Sequence, residues 1–97
     1  MKINEILSKK EILAQLAEEA SELSQAALKL RRAIDDKNPT PKSVWACENA
    51  LDEEIADVWL CIRELGFSDD VHLMIQDGIM IAKQDRWLSR LHARKDV

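Results

Sequence analysis

The sequence predicts an all-α fold, an antiparallel helical bundle of three long helices plus a short N-terminal helix, completed by dimerisation. Three observations predict it. Gly and Pro, the helix breakers, number just two each in 97 residues. Apolar residues recur at spacings of three and four through long windows, and no segment carries a strand signal. Capping residues stand where those windows open and close. At this length the chain is one domain, 1–97 with a core of 8–91. So short a chain buries a thin core, which is why a second copy is expected to complete it.

Residues 2–7 are expected to form a leading helical turn that packs Ile3, Ile6 and Leu7. Ser8-Lys9-Lys10-Glu11 has the Ser-x-x-Glu form of a capping box and opens the first long helix, which runs to about Ile34. Asp35-Asp36-Lys37-Asn38-Pro39 breaks it. Thr40 as N-cap with Pro41 at the first helical position starts the second helix, which runs to about Leu65. Gly66 closes that helix as a C-cap. Ser68, followed by Asp69 and Asp70 at the positive end of the dipole, begins the third helix. That helix carries Val71, Met74, Ile75, Met80, Ile81, Ala82 and Leu88 and fades after Leu91. Gly78 interrupts it, so a kink or close packing is expected there.

Composition sets limits on function. The chain is 46% hydrophobic and 33% charged, with a formal net charge of −4. That balance disfavours binding to a nucleic-acid polymer, which calls for a basic surface. The acids cluster in the first two helices, whereas Lys83, Arg86, Arg90, Arg94 and Lys95 make the C-terminal stretch basic. No stretch resembles a signal peptide. No apolar run approaches the ~20 residues that span a bilayer, so no membrane association is expected and the location is expected to be cytoplasmic. Cys47 and Cys61 fall fourteen residues apart on one helix. That is about 21 Å of rise, too far for a disulfide, and both read as buried thiols.

Two apolar stripes each contain one residue that does not belong. In the first helix Ile12, Leu16, Glu19, Leu23, Ala26 and Leu30 share a face. In the second, Cys47, Leu51, Glu54, Val58, Cys61 and Leu65 do the same. Carboxylates at Glu19 and Glu54 are costly among apolar neighbours unless something positive pairs with them. Glu22 and Asp57 follow each by three residues and project from nearly the same side. If the helices are antiparallel, all four acids converge. An all-oxygen set suits Mg²⁺ or Mn²⁺ rather than zinc, and Mg²⁺ on few protein ligands takes phosphate oxygens as well. Against this stands the ordinary reading, in which Glu-x-x-Glu is a solvated helix face. Glu18, just ahead of its pair, is either a neighbour to the site or simply exposed.

These residues resemble a family. Glu18-Glu19-Ala20-Ser21-Glu22, with Glu54-Ile55-Ala56-Asp57 further on, looks like the E-E-x-x-E … E-x-x-D signature of the MazG-like, all-α nucleotide pyrophosphohydrolases. The resemblance spans about residues 8–91, with a rather long stretch of 31 residues between Glu22 and Glu54. It implies a helical homodimer or homotetramer and Mg²⁺-dependent hydrolysis of a nucleoside triphosphate between the α and β phosphates. Nucleoside monophosphate and pyrophosphate would be the products, with dUTP, dCTP or noncanonical nucleotides as substrates. Carried over by position, Glu19, Glu22, Glu54 and Asp57 would ligate the metal. Glu18 or Glu19 would serve as the base. Lys83 and Arg86 would contact phosphates, although Asp85 stands where the family often has Asn. Lys29, seven after Glu22 on nearly the same face, is a further phosphate candidate.

Among the remaining residues, Trp45, Trp59 and Trp87 read first as core or interface. Trp45, near the start of the second helix, is the best placed to stack a base. His72 and His92 have no ligand spacing and read as surface residues. Two other functional classes are available. One is a helical interaction module without chemistry, which leaves Glu19 and Glu54 unexplained unless basic residues pair with them across an interface. The other is a di-iron bundle, which calls for Glu-x-x-His pairs that neither histidine provides.

Overall fold

The computed structural model describes residues 1–35 and 42–95, and its described residues are helical with no strand. A 3₁₀ turn, Ile3–Glu5, leads into α1 (Lys9–Ile34), α2 (Val44–Glu64) and α3 (Asp70–Lys95). The chain divides into two compact units, Met1–Gly66 and Phe67–Val97.

In the first unit, α1 and α2 pack against each other. They run in opposite directions: Ile12 and Glu19 share a cleft with Asp57 and Cys61, whereas Glu22 and Ala26 share another with Cys47 and Glu54. The expected capping box opens α1. Ser8 Oγ accepts from the Glu11 backbone N–H at 3.2 Å, and the Ser8 N–H donates to Glu11 Oε1 at 3.2 Å. The leading turn is tied to the end of α2, where the Ile3 N–H donates to Glu64 Oε1 and Asn4 Nδ2 donates to the Glu64 carbonyl, each at 3.3 Å. Ile3 and Leu7 face a cleft, but Ile6 is largely exposed, contrary to its expected packing.

The start of α2 differs from expectation. Helix begins at Val44, with Ser43 as the N-cap accepting from the Ala46 N–H at 3.1 Å. Thr40 and Pro41, expected to open it, lie outside the described residues. A serine hydroxyl one residue before a Val-Trp-Ala start satisfies an orphan amide as well as threonine would. Gly66 follows the end of α2 as anticipated, at φ +84°, the left-handed region that L-residues with a side chain adopt at a cost.

Both stripes face inward. Ile12, Ala26, Cys47 and Cys61 are buried, and the other stripe members are half-buried. The core is thin, as the chain length implied. Both cysteines are free, as their spacing required.

The second unit is α3 with its leading residues. Its cap is Asp69 rather than Ser68: Asp69 Oδ1 accepts from the His72 N–H at 2.8 Å, and an ionised cap also complements the helix dipole. Gln76 Nε2 donates to the Phe67 carbonyl at 2.8 Å, and the Phe67 and His72 rings meet at 4.7 Å. The helix does not fade after Leu91 but continues to Lys95. Close packing at Gly78 is not found, since a Cβ added there meets nothing within 4 Å. The apolar residues of α3 are exposed, Met74 at 75% and Trp87 at 64%. Trp45 and Trp59 are exposed as well, so no tryptophan belongs to the core of the chain.

Candidate metal centre

Helix periodicity places Glu19 midway along α1, two turns from Ile12 on one side and from Ala26 on the other. Glu54 occupies the matching layer of α2, between Cys47 and Cys61. With the helices antiparallel, the two glutamates come into register. One carboxylate oxygen from each of Glu19, Glu22 and Glu54 lies within 4.8 Å of the others, a grouping that could hold a metal ion. Glu19 and Glu54 are half-buried and Glu22 is exposed, so the group sits at the edge of the seam.

The hydrogen bonding of this layer is incomplete. Gln15 Nε2 donates to Glu19 Oε1 at 2.8 Å. Glu19 Oε2 and Glu54 Oε2 are buried and have no hydrogen-bond partner. Buried polar atoms without partners are rare in folded proteins and need a physical account. The electrostatics point the same way. The charge of Glu19, then that of Glu54, pushes the Glu22 carboxyl above its usual range. Burial raises Glu54, and the charges of Asp57 and Glu19 add to it. Burial also raises the Cys61 thiol, followed by the charges of Glu19 and Asp57. The charges that act on these groups are carboxylates crowding one another. A cation would relieve that crowding, and a hard divalent ion fits an all-oxygen donor set.

The expected site residues divide by position. Glu19, Glu22 and Glu54 come together. Asp57 stands outside that trio, one methylene shorter and exposed, although it shares a cleft of about 240 Å³ with Glu19 and Gln15. Glu18 is exposed, and its charge adds to the shift of Glu22. Lys29 lines a second cleft, of about 260 Å³, with Glu22, Glu54 and Lys42. Lys83 and Arg86 belong to α3 in the other unit and are exposed, as is Trp45 on α2. Sequence reasoning passed over Gln15 and Lys42. Gln15 had a legible signal, standing one helical turn before Glu19; Lys42, outside any regular helix, had none. Compared with protein-family models, curated proteins and solved structures, the chain finds no match. No helix among the described residues is long and apolar enough to cross a membrane.

Proposed function

We propose that this protein is a Mg²⁺-dependent nucleoside triphosphate pyrophosphohydrolase of the MazG-like kind, cleaving between the α and β phosphates. The observation that carries the reading is the Glu19–Glu22–Glu54 trio with two buried, unpartnered carboxylate oxygens. The E-E-x-x-E … E-x-x-D pattern supports it from the sequence side.

Glu19, Glu22 and Glu54 would hold the ion, with Asp57 joining from its flank. When bound, Mg²⁺ supplies positive charge for the triphosphate and acidifies a coordinated water. The Lys29 ammonium, in the cleft shared with Glu22 and Glu54, donates to phosphate oxygens. Glu18, exposed beside the trio, or Glu19 itself takes the proton of the attacking water. The enzyme works as a homodimer or homotetramer, in which a second copy covers apolar side chains such as Met80 and Trp87.

Pyrophosphate release from a panel of nucleoside triphosphates tests this, with Mg²⁺ and with chelator, beside a Glu19→Ala/Glu54→Ala variant. Chelator-sensitive release that the folded variant lacks is the expected result; no release from any substrate overturns it. The exposed apolar surface of α3 favours a second reading, a helical interaction module without chemistry. That reading predicts self-association without turnover or response to Mg²⁺.

A further inference from the structure

We propose that Gln15 is a positioning residue for the carboxylate cluster, a role that rests on the metal-binding reading above. The terminal torsion of a glutamate is soft, with a broad, roughly two-fold profile, so a carboxylate alone in a cleft does not hold one orientation. Glu19 is not alone. Gln15, one turn earlier on α1, donates its amide N–H to Glu19 Oε1 at 2.8 Å. The opposite oxygen, Oε2, is left buried without a partner. One oxygen is therefore committed to the protein and the other is reserved. Partners that fix a ligating group in this way are as much a part of a metal site as the ligands themselves.

The choice of an amide matters. Lysine or arginine here would pair with Glu19 and compete with any bound cation. Leucine would leave the carboxylate free to turn. A neutral donor orients the group and leaves its charge available. The bond is also an i, i+4 pair on a helix, and stapling the helix is the competing role for such a pair. The two roles predict different results, because Gln15 lines a cleft with the apolar Ile3, Leu7, Ile12 and Leu60. Leucine there suits both the cleft and the helix.

The test is Mn²⁺ binding to the full chain, followed by the paramagnetic resonance of the free ion, with thermal unfolding of the ion-free protein alongside. Gln15→Leu and Gln15→Met are compared with the parent. The expected result is binding weakened about 10-fold in both variants, with an ion-free Tm equal to or above that of the parent. A parent that binds while both variants bind equally tightly overturns the role of Gln15 and leaves the metal site standing. A lower Tm with unchanged affinity makes the bond a helix staple and also overturns it. A parent that binds no Mn²⁺ overturns the metal site, and this inference with it.

Discussion

Glu19 on α1 and Glu54 on α2 meet across the helix seam, with carboxylate oxygens within 4.8 Å and an Oε2 on each buried without a partner. Two like charges held this close weaken the fold that holds them. The arrangement is a cost to the ion-free chain and a resource for a chain that binds a cation. Replacing either acid by its neutral isostere separates the two effects. Glu54→Gln should raise the ion-free Tm and weaken Mg²⁺ or Mn²⁺ binding by well over ~10-fold, more than the loss of an indirect partner costs. Calorimetric titration beside a thermal melt checks both. A variant less stable than the parent would contradict the account.

Cation binding should appear as stability. A ligand that binds the folded chain alone stabilises it by RT ln(1 + [L]/Kd), about 2.7 kcal/mol at ~100 times Kd. Melts in rising Mg²⁺ should move upward, and chelator should return them to the ion-free value. Identical melts with Mg²⁺ and with chelator would count against the site.

The pH dependence has a definite sign. Glu22 and Glu54 both titrate above the ordinary glutamate value of 4.5, Glu22 chiefly through the charge of Glu19 and Glu54 through burial. The folded chain therefore holds these protons more tightly than the unfolded chain does. Their contribution to stability is present at low pH and is lost as pH rises from 4.5 through the folded values. A cation bound by these carboxylates would displace those protons, so its binding would strengthen over the same interval. A Glu22→Gln/Glu54→Gln variant should lose this component of the pH profile. Melts of parent and variant between about pH 5 and pH 8 would show it.

Gly78 offers an independent probe of α3. It lies inside a helix, and a Cβ added there meets nothing within 4 Å. Gly78→Ala should therefore stabilise by up to about 1 kcal/mol, read from denaturant unfolding. Destabilisation would mean that another surface lies against this position in solution.

Helix caps give the final prediction. Ser8→Ala and Ser43→Ala each remove a hydroxyl that accepts a backbone N–H, at 3.2 and 3.1 Å. Each should cost about 1 kcal/mol, and the two effects should add, since the caps belong to different helices.

Much of the first unit was legible because one physical rule governs it. A helix with one buried face repeats its apolar residues every 3.6 positions. Among the described residues the two stripes therefore named every buried one, Ile12, Ala26, Cys47 and Cys61, and the two acids between them. The same rule could not rank Glu22 against Asp57, since each follows a stripe acid by three residues; the structure groups Glu22 with Glu19 and Glu54. The start of α2 was misread because Thr-Pro and Ser-Val are both sound openings. In α3, apolar residues such as Leu73, Met74 and Ile75 are consecutive and mark no single face, so the pattern announced a helix without saying what it rests against.

The thin core has a consequence for the protein in a cell. With Ile12, Ala26, Cys47 and Cys61 as the buried apolar residues among those described, so thin a core leaves little free energy in reserve. A cation bound between Glu19 and Glu54 would then make up a large share of its whole stability. Proteases and chaperones act on the unfolded fraction, which responds steeply to one or two kcal/mol. Were such an ion bound, its supply would govern how much of this protein persists, and depletion of the ion would be read out as a shorter lifetime.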